Sequence, residues 1–219
     1  MPIDPHVAVG AELPPVEFSW TETDVLLYHL AVGAGRTNTD LRYVTEGGEC
    51  VLPSFATVAA TFHTSEPPRV SFPGVDIDLA AVVHGSQDVR VHTQIPRSGA
   101  GITVTRIADV MDKGSAAVIV QESTTTTPDG EPLWTARSSI FARGEGGFGG
   151  PRGVSPTVRT PDREPDHVLE IPTLPQQALL YRLCGDRNPL HSDPAFATRA
   201  GYDAPILHGL CTYGMTCKA

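Results

Sequence analysis

The sequence predicts an α+β fold in which a sheet-forming stretch follows a helical one. Three observations support this prediction: apolar residues at helical spacing in the first third, a run of alternating and β-branched residues from Val82 to Phe141, and a glycine- and proline-rich stretch after that run. Helices and strands that occupy separate parts of a chain are typical of α+β architectures rather than of alternating βαβ units.

A first helix is predicted from Asp24 to Val32, after a polar, proline-containing lead-in over residues 1–20. Thr23 is a suitable N-cap, because its hydroxyl can accept a hydrogen bond from a free backbone N–H. Gly33 and Gly35 favour termination of the helix. The inward face is expected to contain Leu26, Leu27 and Leu30.

The middle of the chain is predicted to form one more helix and then an antiparallel sheet. The helix begins after Pro53, and its apolar residues at helical spacing are Phe55, Val58, Ala59 and Phe62. Strand character follows in the alternating segment Ile102–Thr105 and in the β-branched segment Ala117–Thr127. Pro128–Gly130 is a strong turn signal, so Leu133–Phe141 is expected to return as the partner strand.

Composition divides the chain into two domains. The predicted parts are a first domain over residues 1–150, a linker over 151–166 and a second domain over 167–219. The second domain is expected to begin with a short strand at Leu169 and Ile171 and to continue with a helix opened by Pro175.

The run Gly144–Gly149 matches the G-x-G-x-x-G pattern of dinucleotide-binding proteins. Such a site needs a helix to begin directly after the glycines, because the N-terminal amides of the helix hold the pyrophosphate. Pro151 and Gly153 follow instead. The run is therefore interpreted as glycine-rich chain that leads into the linker and not as a nucleotide site.

Overall composition excludes several classes of protein. The 219 residues have a formal net charge of −9, which makes nucleic acid a poor partner. No apolar run reaches the roughly 20 residues of a membrane span, and the first residues lack the pattern of a secretory signal. The C-terminus is not a peroxisomal address. The four cysteines form no C-x-x-C pair, so reduced, buried thiols in a cytoplasmic protein of bacterial type are expected.

The segment Tyr181–His191 contains the chemically most informative side chains. Asp186, Asn188 and His191 supply a carboxylate, a carboxamide and an imidazole within six residues, and Gly185 helps to place them on a tight loop. An imidazole near neutral pH can give or take a proton, and a carboxylate beside it can share that proton transfer. Asn188 can position water. The alternative for each residue alone is an ordinary turn.

A second signal lies in Pro205–Thr212, after a short helix capped by Asp193. An uncharged helix is predicted from His208, with close backbone packing at Gly209 and Gly214. The amide of Gly209 near the helix start could hold the oxygen of a thioester as it becomes enolate-like. The alternatives are that Gly209 only permits tight packing and that His208 is structural.

Asp186, His191 and His208 also allow a competing interpretation as a metal site. Their spacing fits no standard zinc pattern, and the cysteines are not grouped to assist. No metal is therefore predicted.

These segments resemble the signature of the MaoC-like dehydratases, in particular the two-domain (R)-specific enoyl-CoA hydratase 2 group. That group includes the hydratase part of the peroxisomal multifunctional enzyme of β-oxidation. The matching segments in the second half are Gly185–His191, Ala200–Gly201 and Pro205–Gly214. Less specific matches in the first half are Leu27–Leu30 with Gly33, Leu52–Phe55, His84–Gln87, Asp112–Gly114 and Arg143–Gly150.

The resemblance implies tandem hot-dog folds, each a long central helix wrapped by an antiparallel sheet. The first repeat lacks the catalytic loop and accommodates the acyl chain. The implied reaction is the reversible hydration of a trans-2-enoyl-CoA to the (3R)-3-hydroxyacyl-CoA, with long or bulky acyl groups, including sterol side chains, expected over short ones. No metal or redox cofactor is implied, and coenzyme A arrives with the substrate.

Carried over by position, Asp186 and His191 form the acid/base pair, Asn188 helps to hold the water, and the Gly209 amide binds the thioester carbonyl. Additional substrate contacts are expected from Tyr181, Arg187 and His208.

The chain reaches Ala219 inside the second central helix of that pattern, so an incomplete second hot dog is expected. A homodimer or a heteromer with another hot-dog subunit is the expected assembly. The alternative function is an acyl-CoA-binding or scaffold subunit with impaired catalysis. A hot-dog thioesterase fits poorly, because it would not need the Asp/Asn/His loop.

Overall fold

A computed structural model describes residues 3–48, 50–154 and 159–219. The helices are α1 (Pro5–Ala8), α2 (Glu22–Ala31), α3 (Leu41–Val44), α4 (Gln177–Tyr181), α5 (Pro194–Arg199) and α6 (Gly209–Lys218). The strands are β1 (Val16–Trp20), β2 (Val70–Phe72), β3 (Val75–Ile77), β4 (Val82–Val91), β5 (Gly99–Asp112), β6 (Ala116–Thr126) and β7 (Pro132–Arg143). Within these three ranges, no helix is long and apolar enough to cross a membrane.

Helix α2 begins earlier than the sequence predicts. Thr21, not Thr23, is the N-cap, because Asp24 lies three residues later and completes a capping box with it. The Asp24 N–H donates to the Thr21 hydroxyl (3.3 Å), and the Thr21 N–H donates to the Asp24 carboxylate (2.8 Å). Gly33, with φ of 83°, follows the helix end as predicted. The predicted inward face is wrong at Leu30, which is 43% exposed. The buried residues of α2 are Val25, Tyr28, His29 and Ala31.

The predicted helix after Pro53 is instead a pair of 3₁₀ turns, Pro53–Thr57 and Ala59–Thr61. The hydroxyl of Thr57 donates to the Ser54 carbonyl (2.8 Å), and such local side-chain bonds compete with the α-helical pattern. The apolar residues predicted to face inward are nevertheless buried, namely Phe55, Val58, Ala59 and Phe62.

A five-stranded antiparallel sheet follows the order β1-β5-β6-β7-β4. The turn predicted between β6 and β7 is confirmed: Gly130 has φ of 90°, and the Thr127 N–H donates to the Glu131 carbonyl (2.8 Å). The polar lead-in contains a strand that was not predicted from the sequence: Val16–Trp20 forms edge strand β1 against β5. One face of the sheet packs on α2 through an aromatic cluster that includes Trp20, Phe55 and Trp134.

The second part of the chain packs on the C-terminal end of α2. The Ala31 carbonyl, left without a partner inside its own helix, accepts the Gln177 side-chain N–H (2.5 Å) and lies 3.6 Å from the Cys211 sulfur. A Cβ at Gly214 would lie 2.6 Å from Val32 Cγ1, so α6 needs glycine at this contact. The predicted close packing at Gly214 is confirmed.

The predicted strand at Leu169 and Ile171 is wrong. Leu169 is 68% exposed, and the described residues 159–219 form helices and turns without a strand partner for it. A strand without a partner leaves its backbone donors and acceptors unpaired. Helix α4 begins at Gln177, two residues after Pro175. The domain boundaries stay a prediction, and residues 155–158 of the proposed linker lie outside the described residues.

The glycine run after β7 folds onto Asp112 and is not a loose linker. One carboxylate oxygen accepts the N–H groups of Gly114 (2.8 Å) and Gly147 (2.9 Å), and the other accepts that of Gly149 (2.8 Å). The backbone N–H of Gly147, followed by those of Gly114 and Gly149, lowers the pKa of Asp112. Amides that a pyrophosphate would need are therefore bound to a carboxylate of the same chain.

The cysteines divide into two kinds. Cys184 and Cys211 are buried, and burial raises the pKa of both thiols, that of Cys211 to about 12. Cys50 and Cys217 are exposed, so the expectation of buried thiols is wrong for these two. The described cysteines are free thiols.

Candidate active site

The segment between α4 and α5 forms the tight loop that the sequence predicts. A 3₁₀ turn ends at Gly185, whose φ of 103° favours glycine. A Cβ at this position would overlap the carbonyl oxygen of Thr61, so the loop lies directly on the backbone of the first part of the chain. The Asp186 carboxylate accepts the Asn188 N–H (3.1 Å), and the Asn188 side-chain oxygen accepts the Leu190 N–H (3.0 Å).

His191 is held in one tautomer. Its Nδ1 lies 2.8 Å from the Ile206 carbonyl, which can only accept, so Nδ1 carries the proton and Nε2 keeps a lone pair. The ring is 8% exposed. Burial lowers the pKa of His191 below its ordinary value, and the Ile206 carbonyl and the charge of Asp186 oppose this shift. The imidazole is therefore neutral at pH 7.

His208 lies behind His191 and does not line the cavity. The two rings stack with centroids 3.7 Å apart and planes at 26°. Burial, followed by the neighbouring His191, lowers the pKa of His208 to about 4. Its Nε2 lies 3.4 Å from the Asp186 backbone carbonyl, and Nδ1 has no hydrogen-bond partner among the described residues. These contacts give His208 a position that supports the loop, and its predicted contact with the substrate stays a prediction.

Gly209 is the first residue of α6, and it is exposed. A Cβ at Gly209 would meet no atom within 4 Å among the described residues, so close packing does not require glycine here. The prediction of tight packing at Gly209 is wrong. The open space leaves room for a ligand at the N-terminal end of the helix, where backbone N–H groups favour negative charge.

A cavity of about 660 Å³ brings the predicted groups together. The loop and α6 supply Asp186, Asn188, His191 and Gly209 to its lining. The first part of the chain supplies an apolar wall that includes Val58, Val70, Leu79, Val82 and Ile140. The cavity therefore joins proton-transfer groups to a surface suited to an alkyl chain.

The other predicted contacts are less direct. Tyr181 reaches the cavity wall, but its ring is fully buried, and burial raises its pKa. Arg187 is not in the lining; its Nε donates to the Thr64 carbonyl (3.2 Å) and ties the loop to the first part of the chain. The position of Arg187 is thus explained by anchoring.

The competing metal interpretation has a geometric basis but an unfavourable arrangement. One possible ligand atom from each of Asp186, His191 and His208 lies within 4.8 Å of the others. The stacked imidazoles direct their in-plane lone pairs side by side, whereas a shared ion needs lone pairs that converge. The chemistry of this trio therefore suits proton transfer better than tetrahedral coordination.

Two cavity residues, His84 and Gln87, were given no role by sequence reasoning. Both are on β4 of the first part and line the cavity with Asp186. His84 is exposed to the cavity, but desolvation by the residues around it lowers its pKa. The Ser86 backbone and the charge of Asp186 act to raise that pKa. The available signal was Gly85, because a glycine inside a strand pattern often marks a bulge.

Comparisons with known proteins agree with this arrangement. The MFE-2 hydratase 2 N-terminal domain matches residues 18–144, and the MaoC like domain matches residues 156–219. Enoyl-CoA hydratase ChsH3 of Mycobacterium tuberculosis is 61% identical over 222 residues, which cover 100% of this chain and 78% of that protein. Peroxisomal multifunctional enzyme type 2 of Mus musculus is 41% identical over 217 residues, covering 96% of this chain and 29% of that enzyme.

A solved structure shows the same architecture. The MaoC-like dehydratase from Phytophthora capsici superposes with a TM-score of 0.80 at 29% identity, over 95% of this chain and 73% of that chain. The fold is α+β with an antiparallel sheet of the MaoC-like hot-dog type, as predicted. The chain belongs to the MaoC-like dehydratase family, in the branch whose first half is the hydratase 2 N-terminal domain.

Proposed function

We propose that this chain catalyses the reversible addition of water to a trans-2-enoyl-CoA, giving the (3R)-3-hydroxyacyl-CoA. The observation that supports this most strongly is the meeting of Asp186, His191 and the open start of α6 in one cavity with an apolar wall. The names of the related hydratases favour the same reaction and an acyl-CoA substrate.

The addition needs a site for charge that develops on the thioester oxygen. As the water oxygen bonds to C3, the electrons of the C2=C3 bond move toward C2 and the carbonyl, which becomes enolate-like. The Gly209 N–H, at the positive end of α6, is proposed to donate to that oxygen. Since Gly209 has no close neighbour on its Cβ side, the thioester can approach the backbone there.

Asp186 and His191, acting as an acid/base pair, can supply and accept every proton that the reaction needs. One proton of the attacking water passes to the pair, through Nε2 of His191 or the carboxylate of Asp186. The pair then returns a proton to C2, and the enolate electrons form the new C2–H bond. Both added hydrogens derive from one water, and the pair returns to its starting state, so we propose that no metal or redox cofactor takes part.

Asn188 is proposed to hold that water. Its side-chain oxygen already accepts the Leu190 N–H, so its NH₂ group is the part left to donate. An Asn188 N–H that donates to the water oxygen would occupy one of its lone pairs. The water protons would then face Asp186 and His191.

The role of the Gly209 amide can be tested with a variant that lacks the backbone N–H hydrogen at this position. Gly209 is the first residue of α6, where proline is tolerated, and His208 has ψ of 133°, which suits a residue before proline. Gly209→Pro removes the N–H, and we expect kcat for trans-2-enoyl-CoA to fall by about 10²- to 10³-fold. Loss of absorbance at the enoyl-thioester band measures the rate.

Gly209→Ala is the matched control, because both variants add a Cβ at this position and only alanine keeps the backbone N–H. Its rate should stay well above that of Gly209→Pro. Equal rates in both variants would contradict the oxyanion role. A wild type that binds acyl-CoA without turning over an enoyl-CoA would favour the alternative of a binding subunit.

We also propose that this chain works as a homodimer or with another hot-dog subunit. Apolar side chains of the second part are exposed, including Val168 (75%), Leu169 (68%) and Leu179 (53%). Exposed large apolar side chains can mark an association surface. Gel filtration of this chain alone with light scattering would show a defined dimer if it is a homodimer. A monodisperse monomer that also forms no complex when mixed with another hot-dog subunit would contradict the proposal. The cytoplasmic location stays a prediction.

A further inference from the structure

Three polar side chains interrupt the apolar core face of the sheet in a single row. Gln87 on β4 is paired with Ser138 on β7, and Ser138 is paired with Gln121 on β6. All three line the cavity. Along β7, the neighbours of Ser138 on the same face are Ala136 and Ile140, so the row separates two apolar stretches.

A β-bulge at Gly85 places His84 and Gln87 on the same face of β4. The pairing of β4 with β7 shifts between His84 and Ser86, so one extra residue is inserted and His84 and Gln87 share the cavity face. Ser86 points to the opposite face, where its hydroxyl lies 2.7 Å from that of Ser139. A Cβ at Gly85 would lie 2.7 Å from the Ser139 hydroxyl oxygen, which explains why glycine occupies the bulge.

The charge of the cavity limits what this row can bind. Neither Lys nor Arg lines the cavity in the described parts of the chain, and its carboxylate-bearing residues are Glu66 and Asp186. Desolvation favours neutral His84. A phosphate or carboxylate would meet two carboxylates and no cation here, whereas a hydroxyl, carbonyl or amide would find both donors and acceptors.

We propose that the row of Gln87, Ser138 and Gln121, with His84 on the same face of β4, forms a subsite that binds an uncharged oxygen- or amide-bearing group of the substrate. The identity of the substrate rests on the proposed function. Two parts of an acyl-CoA carry such groups: the amides of the pantetheine arm and an oxygen substituent on the acyl chain. The subsite is on strands of the first part of the chain and the Asp186 loop is in the second part, and both line the cavity, so the substrate would be held between the two parts.

Binding of saturated, unreactive ligands tests the subsite without turnover. Titration calorimetry would give Kd for octanoyl-CoA and ω-hydroxyoctanoyl-CoA with the full chain and its variants Gln87→Leu and Ser138→Ala. Removing one neutral hydrogen bond should raise Kd by about 2- to 10-fold. An equal rise for both ligands would assign the subsite to pantetheine, and a rise for the hydroxylated ligand alone would assign it to the acyl chain.

The adjacent serine on β7 provides the control. Ser139→Ala makes the same chemical change on the opposite face of the strand and should leave both Kd values unchanged. His84→Leu should weaken binding, and His84→Gln, which keeps hydrogen-bonding groups, should restore part of it. Unchanged Kd values in all cavity variants, or an equal effect from Ser139→Ala, would overturn the proposal.

The same preparations separate failure of the subsite from failure of the proposed function. If wild type hydrates trans-2-octenoyl-CoA while the cavity variants bind normally, the subsite alone is wrong. If the variants weaken binding as expected but wild type shows no hydration, the proposed function alone is wrong. Absence of binding by folded wild type would overturn both.

Discussion

Two carboxylates of this chain are in contact with glycine-containing loops, yet their oxygens are used differently. Asp112 accepts three backbone N–H groups, with both oxygens occupied, from Gly114, Gly147 and Gly149. Among the described residues, Asp186 accepts one backbone N–H, that of Asn188, and it lines the cavity. The first carboxylate organises a loop, whereas the second keeps acceptor capacity for a ligand or a proton.

The comparison shows that hydrogen-bond occupancy separates a structural from a chemical carboxylate better than a sequence motif does. The glycine run around Asp112 matches a nucleotide pattern, but its amides are already bound. The Asp186 loop matches an ordinary turn pattern, but His191 beside it has a free lone pair. Variants of Asp186 should therefore lower catalysis, whereas variants of Asp112 should lower stability.

The largest expected difference is in catalysis. Asp186→Asn should lower kcat for trans-2-enoyl-CoA by about 10²- to 10⁴-fold, because an amide cannot exchange a proton with water in this step. Asp112→Asn should keep kcat within about twofold of wild type. The enoyl-thioester absorbance measures both. A strong loss of kcat in folded Asp112→Asn would contradict the division of roles.

The next effect concerns acid stability near the Asp186 loop. His208 has a pKa of about 4 in the folded chain, below the roughly 6.5 of an unfolded histidine, so the unfolded state takes up the proton first as pH falls. Stability from this group is complete above pH 6.5 and falls as pH drops toward 4. Between pH 7.5 and 5 the loss should be on the order of 2 kcal/mol in urea unfolding.

His208→Phe removes that titration while keeping a ring against His191. The difference in unfolding free energy between the two pH values should shrink in this variant. The same pH dependence in His208→Phe and wild type would show that another group is responsible.

A stability effect without a catalytic one is expected from the Asp112 loop. Asp112→Ala leaves three backbone N–H groups without their acceptor, so the urea midpoint should fall at neutral pH. The pKa of Asp112 is lowered in the folded chain, so its contribution is present above the ordinary value of an aspartate and is lost as pH falls through the folded pKa. An unchanged midpoint would show that the glycine run folds without this carboxylate.

The smallest expected effect is that of metal removal. Dialysis of wild type against a chelator should leave kcat unchanged, because the pair alone can meet the proton balance. Metal analysis of the dialysed protein is the control. A loss of rate that Zn²⁺ restores would favour the metal interpretation of Asp186, His191 and His208.

Local signals in the sequence predicted much of this molecule. The turn at Pro128–Gly130 and the capping of α5 by Asp193, whose carboxylate accepts the Ala195 N–H (2.8 Å), depend on neighbouring residues alone. The loop that contains Asp186 was predictable for the same reason, since its turns are closed by Asp186 and Asn188 within the loop.

Features that depend on distant contacts were not predictable in this way. The position of His84 beside Gln87 on the cavity face follows from a bulge that exists only because β4 pairs with β7. The outward position of Leu30 follows from the side of α2 on which α6 packs, which the spacing of leucines does not reveal. The exposed Leu169 has strand-like character, but a strand also needs a partner.

The contact of Gly185 with Thr61 has a mechanical consequence. No side chain separates these two backbones, so the cavity wall and the loop are in direct backbone contact. A ligand that pushes on the 3₁₀ turn at Thr57 and Val58, both in the cavity lining, would pass its displacement through Thr61 to Asp186, one residue beyond the contact. The length of the acyl group would then affect the rate of reaction at C2 and C3 and not only the affinity of binding.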